Sequence, residues 1–142
     1  MSNLLLKSWS NSGAGDTMIF DTDMFIWVQR GNKKAAELID LETERYVAIQ
    51  SYMELLQCAK NKDQQRISKK FISDLGFIVL SLTENIGHRA LVYIEEYSLS
   101  SDMRAGDAII AATAVENGMS LTTSNEKHFK MVKDLDLRVF KL

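Results

Sequence analysis

The sequence predicts an α/β domain of three layers, α/β/α, around a mostly parallel central sheet of about five strands. Three observations carry this. Short β-rich runs alternate with longer segments whose apolar residues stand three and four apart. Strand and helix signals succeed one another along the whole chain, the βαβ pattern of a sheet covered on both faces. The 142 residues are 46% hydrophobic and 25% charged, which fits one core rather than a disordered tail or two domains.

The expected elements follow in order. Residues 1–17, MSNLLLKSWSNSGAGDT, are rich in Ser, Asn and Gly without sustained periodicity and read as a flexible leader. The domain then spans 18–142. Strands are expected at Met18 to Thr22, Tyr46 to Ile49, Phe77 to Leu80, Ser120 to Thr123 and Leu137 to Phe140. After a short helix starting at Met24, helices are expected at Lys33 to Glu44, Ser51 to Lys60, Asp63 to Leu75, Thr83 to Ser98 and Arg104 to Asn117. Gly118 closes the last of these as a C-terminal cap. No proline, repeat or low-complexity linker divides the domain.

Composition excludes several classes. No apolar stretch approaches the about 18 residues needed to cross a bilayer, and no signal peptide opens the chain, so a cytoplasmic protein without membrane contact is expected. The one cysteine, Cys58, lies in the apolar pattern YMELLQCA and reads as core. A formal charge of −2 gives no global nucleic-acid footprint. Phosphate loops and the nucleophile elbow G-x-S-x-G do not occur.

Carboxylates carry the chemistry. In open α/β sheets the functional crevice lies beyond the carboxyl ends of the strands, where strand order reverses. Asp21 and Asp23 end the first strand, Glu54 lies one turn into the helix after the second, and Asn125 follows the fourth. Asp107 begins the last helix and shares a face with Ile110, Ala111 and Ala114, which points it inward. Buried carboxylates without cationic partners ask for a metal, and an all-oxygen set suits Mg²⁺ or Mn²⁺ rather than zinc. Structural roles compete with these. Ser51 and Glu54 form S-x-x-E, a capping box; Asp102 reads as an N-cap before the last helix; Asp23 could cap the helix from Met24; Asn125 could be a turn residue. His88 reads as a surface or packed residue, and His128 as structural or supporting.

The runs MIFDTDMFI, AIQSYMELL, GDAIIAATAVENGMSLTTSNEKHF and LRVF strongly resemble the PIN-domain ribonucleases, specifically the VapC-type toxins of bacterial toxin-antitoxin pairs. The resemblance covers residues 18–142 as a PIN-like nuclease domain. It places the family's acidic residues on Asp21, Glu54 and Asp107, its fourth site position on Asn125, and its preceding threonine on Thr123. D-T-D departs from the commoner D-T-N or D-T-S, so Asp23 is an additional outer ligand or a cap. The implied activity is Mg²⁺-dependent (or Mn²⁺-dependent) endoribonuclease hydrolysis, with water as nucleophile and 5′-phosphate and 3′-hydroxyl products. The implied partners are an RNA substrate, transfer RNA being one candidate, a cognate VapB-like antitoxin and a second copy in a homodimer.

Two basic tracts could position RNA. KNKDQQRISKK supplies Lys60, Lys62, Arg66, Lys69 and Lys70; NEKHFKMVK supplies Lys127, Lys130 and Lys133, with Arg104 near the proposed site. Two other readings share some signals. The opening D-x-D and Gly106–Asp107 also fit a haloacid-dehalogenase-like phosphatase, although Ile110 and Ala111 stand where its next aspartate belongs. A non-catalytic PIN-fold scaffold binding RNA or protein would not need the acidic set.

Overall fold

A computed structural model of the protein describes residues 17–142, so the expected leader lies outside the described residues except for Thr17. Strand β1 (Met18–Phe20) leads into helix α1 (Thr22–Gln29), then α2 (Lys33–Asp40), β2 (Tyr46–Ala48), α3 (Ile49–Gln57) and α4 (Lys62–Asp74). Strand β3 (Ile78–Leu80), α5 (Glu84–Tyr97), α6 (Ala105–Glu116), β4 (Ser120–Thr123), a 3₁₀ turn (Glu126–His128) and β5 (Leu137–Val139) complete it. All strand pairs are parallel and the sheet order is β3-β2-β1-β4-β5. The chain builds outward from β1 in one direction, returns, and builds outward in the other. The reversal falls between β1 and β4.

Strand alternation splits the core into two layers. Met18 and Phe20 join Met24, Phe25, Leu38, Leu55 and Ile72 on the face covered by α1 to α4. Ile19 points the other way, into a core with Ile86, Ala90, Ile110 and Ala111 from α5 and α6. On the first face Phe25 and Phe77 meet edge to face at 5.0 Å, with Phe20 at 6.2 Å from Phe77. Such pairs add about 0.5–1.5 kcal/mol each beyond their burial.

Local chemistry sets the helix ends. Asn32, Asn61 and Thr83 accept from the backbone N–H of Ala35, Gln64 and Ile86, capping α2, α4 and α5. Arg45 closes two C-termini at once, donating to the carbonyls of Ile39 and Leu75 at 3.1 and 2.9 Å. Gly118 takes φ +64° just past α6, where a residue with a Cβ would be strained. Arg89 bridges Glu116 and Asp134, and Tyr93 also donates to Asp134, locking α5 and α6 to the segment before β5.

Several boundaries differ from the sequence reading. The second predicted helix starts at Ile49 rather than Ser51, so Ser51 is inside the helix and cannot cap it. The helix from Lys33 stops at Asp40, short of Glu44. Cys58 is exposed rather than packed, standing as the C-cap residue past the end of α3. Among the described residues no helix is long and apolar enough to cross a membrane.

Candidate functional site

Asp21 leaves β1 beside β4, at the point where strand order reverses. Its N–H donates to Thr122 O at 2.9 Å, extending the ladder one step beyond the strand. Its carboxylate then turns in two directions. Oδ1 accepts from the Thr22 N–H at 2.8 Å, making Asp21 the N-cap of α1, and Oδ2 accepts from Thr123 Oγ1 at 2.8 Å. The sequence reading gave the cap to Asp23. Two residues of register decide it: α1 begins at Thr22 rather than Met24, so Asp21 caps and Asp23 falls in the first turn.

Asp23 instead fastens the loop after β4. Its Oδ2 accepts from the Ser124 N–H at 2.9 Å and from Ser124 Oγ, with Thr123 Oγ1 at 3.5 Å from both of its oxygens. Trp27 Nε1 donates to Ser124 Oγ at 3.3 Å, so α1 holds that loop at two points. Asn125 follows, exposed, its N–H donating back to Thr123 Oγ1 at 3.0 Å.

Glu54 approaches from α3. Freed from the capping role, it accepts from Thr22 Oγ1 at 2.6 Å through Oε1 and from Gln50 Nε2 at 3.0 Å through Oε2. Opposite it lies Gly106, in the first turn of α6. A Cβ there would stand 2.6 Å from Glu54 Oε2 and 3.1 Å from Gln50 Nε2, so the absent side chain leaves Glu54 room for the position it takes.

Asp107 is next. Its side chain is 17% exposed, and its Oδ2 accepts from the Arg104 N–H at 3.0 Å while lying 3.4 Å from His128 Nδ1. This corrects the reading of Asp102: α6 begins at Ala105, so Asp107 reaches back to cap its first turn. Asp102 is exposed and pairs loosely with Lys127 at 3.7 Å. Asp102, Met103, Arg104 and His128 line an open cleft of about 440 Å³ beside Asp107. Arg104 and Lys130 are exposed.

The electrostatics join the three acids. Burial pushes the Asp21 carboxyl well above its ordinary 3.8, and the charges of Asp23 and Glu54 push it further, against the hydrogen bonds of Thr123 and Thr22. Burial likewise raises Asp107; the Arg104 N–H and His128 pull it down, and Glu54 raises it. Glu54 thus acts on both. Among the described residues no group of three or more His, Cys, Asp or Glu side chains is gathered closely enough to hold a metal ion. The trio expected to ligate one or two ions therefore stands apart, its oxygens turned toward Thr22, Gln50, Thr123 and Arg104. The donor set fits a hard divalent cation nonetheless: all donors are oxygens, and the crowded negative charge is of the kind a cation relieves.

Sequence reasoning missed Thr22, Gln50, Ser124 and Gly106. Gln50 stands four residues before Glu54 on one helix face, a spacing that could have disclosed it. The contacts of Thr22, Ser124 and Gly106 are tertiary and leave no local signal.

Comparisons place this geometry among known proteins. No curated protein matches the chain. Among solved structures, it is similar to a toxin-antitoxin complex from Klebsiella pneumoniae, at 23% identity, covering 89% of this chain and 100% of that one with TM-score 0.74. It is similar to VapBC2 from Rickettsia felis bound to a promoter DNA fragment, at 18% identity, with 88% and 99% covered and TM-score 0.70. It is also similar to VapBC-1 from nontypeable Haemophilus influenzae, at 20% identity, with 87% and 97% covered and TM-score 0.71. At these identities the likeness is one of fold. The PIN domain model matches residues 18–135, most of the sequence, and the chain therefore belongs to the PIN domain family.

Proposed function

We propose that this protein is a divalent-metal-dependent endoribonuclease, the toxin of a VapBC-type toxin-antitoxin pair. The observation that carries the reading is the set of acids at the strand-order reversal, where Glu54 accepts from Thr22, the neighbour of Asp21, and faces Gly106, the neighbour of Asp107. Nuclease chemistry is what the family generally performs.

Asp21, Glu54 and Asp107 would hold Mg²⁺ or Mn²⁺. When bound, the ion supplies Lewis-acid stabilisation of the scissile phosphate and activation of water. The chain's own residues do the rest. Thr22 and Gln50 aim the Glu54 carboxylate, and Thr123 and the Thr22 N–H fix Asp21. The Arg104 N–H and His128 steady Asp107. Asp23 fastens the loop bearing Asn125, whose exposed amide would then be held ready to contact substrate. Arg104 and Lys130 supply positive charge on the approach, while Lys127 is partly spent on Asp102. No covalent nucleophile is required: water, rather than the ribose 2′-hydroxyl, attacks phosphorus and the 3′-oxygen leaves, so cleavage leaves a 5′-phosphate and a 3′-hydroxyl.

The partners belong to the same reading. The solved structures similar to this chain include toxins held by their antitoxins, which supports a VapB-like partner here. Helix α5 exposes the adjacent Leu91 and Val92, at 57% and 51%, and α3 exposes Met53; apolar surface of this kind supports docking to a second copy.

The test is cleavage of cellular RNA by the purified chain with Mg²⁺. Asp21→Asn and Asp107→Asn should each abolish it while the far-UV spectrum stays native. Undiminished cleavage by either variant would sink the assignment.

A further inference from the structure

A groove of about 520 Å³ lies between α3 and α4, lined by Tyr52 from α3 and by Lys62, Arg66, Lys69, Lys70 and Ser73 from α4. Tyr52 and Glu54 stand two residues apart on one helix and so project from opposite sides of it, which puts the groove across α3 from the acidic crevice. One helix diameter, on the order of 10 Å, separates the two. The chain carries a formal charge of −2, yet four cations meet here and no carboxylate lines the groove among the described residues. Arg66 and Lys70 have ion-pair partners in Asp63 and Asp74, but those pairs are exposed and open to exchange. Lys62 and Lys69 have no ion pair among the described residues.

We propose that this groove binds the phosphate backbone of single-stranded RNA flanking the bond cleaved in the crevice, an inference that rests on the ribonuclease reading above. Cations alone would suit any polyanion. Tyr52 lies among them, packed on the core along one side and half-exposed. The exposed part of its ring adds a place for a base to stack, the combination of cations and aromatic that single strands use. The groove is also tied to the site through the fold. Gln29 Nε2 donates to Ser68 Oγ at 3.0 Å, clamping α4 to the helix that Asp21 caps. Strand position in the groove is thereby fixed relative to the acids. Phosphate contacts of this kind set register and affinity without reading sequence.

The test measures affinity of the full chain for a labelled single-stranded RNA, in an Asp107→Asn background that leaves the RNA intact, across a salt series. The double variant Lys62→Glu/Lys69→Glu is expected to weaken binding by about tenfold or more and to lower the slope of log affinity against log salt by roughly 1.4, two phosphate contacts. Lys33→Glu/Lys34→Glu, on α2, serves as the control for diffuse charge and should do much less. Unchanged affinity and slope would overturn the inference. So would an equal loss from the α2 control, or an acidic peptide that binds as tightly as RNA and competes with it. Mg²⁺-dependent cleavage by the wild-type chain is scored separately. If it persists while the groove variants bind normally, the groove alone is wrong; if it is absent, the reading beneath the groove fails with it.

Discussion

Thr22 Oγ1 donates to Glu54 Oε1 at 2.6 Å, joining the residue after Asp21 to the middle of α3. The bond orients one candidate ligand by means of the neighbour of another. Thr22→Val keeps the shape and removes the donor, so Glu54 loses its anchor. Cleavage is expected to fall about tenfold or more, in line with about 1.5–3 kcal/mol for a hydrogen bond to a charged group. Thr22→Ser should retain most activity. Steady-state kinetics of the two variants, with thermal melts to show intact folding, check this.

Gly106 separates stability from function. Gly106 is the second residue of its helix and has ordinary helical backbone, so Gly106→Ala brings no backbone strain and should leave the melting temperature close to that of wild type. Its Cβ would nevertheless collide with Glu54 Oε2, the far end of a flexible side chain, which must swing away. Activity should drop although the fold does not suffer. A variant that melts normally and cleaves normally would show that Glu54 can move without consequence.

Asp23 is expected to matter through the loop it fastens. Asp23→Ala leaves the partly buried Ser124 N–H without its acceptor and frees the turn carrying Asn125. A loss of about 1–3 kcal/mol in stability should accompany reduced cleavage. Asp23→Asn, which keeps an acceptor oxygen, should retain more of both. Denaturant unfolding read beside activity resolves the two effects.

The raised carboxyls predict an unusual pH dependence for the metal-free protein. Asp21 and Asp107 hold protons in the folded state at pH values where the unfolded chain, with pKa near 3.8, has released them. Stability should therefore fall as pH rises from about 3.8 through the raised folded values. Asp21→Asn removes the larger part of this cost, so the metal-free variant should melt higher than wild type at neutral pH. Added Mg²⁺ should raise the wild-type melting temperature at neutral pH and lose that effect in acid, where the carboxylates are protonated. Calorimetric melts across pH, with and without Mg²⁺, give the comparison.

Much of this was legible in the residues themselves. Alternation of strand and helix signals gave the parallel sheet, because Met18–Phe20 and Ser120–Thr123 are β-rich runs bounded by helix-forming segments. The acids could be found because carboxylates at strand and helix ends need an explanation that Ile19 or Ala111 does not. Local register was harder. Whether α1 starts at Thr22 or Met24 is a choice between two aspartate caps of nearly equal propensity, and the packing of Met24 and Phe25 into the core decides it. The same holds for Ser51, whose capping-box pattern yields to a helix that begins two residues earlier. Contacts such as Thr22 to Glu54, Asp23 to Ser124 and Gly106 to Glu54 join segments far apart in sequence, and single-chain periodicity carries no trace of them.

The central claim is that Asp21, Glu54 and Asp107 hold a divalent cation. Mn²⁺ binding to the full chain, followed by electron paramagnetic resonance at neutral pH, tests it without reliance on any RNA. Wild type is expected to bind Mn²⁺ in competition with Mg²⁺, and Glu54→Gln to bind at least about tenfold more weakly, since Glu54 couples to both aspartates. Absence of binding by the folded wild-type chain, or equal affinity in Glu54→Gln, would mean that the crevice is not a metal site.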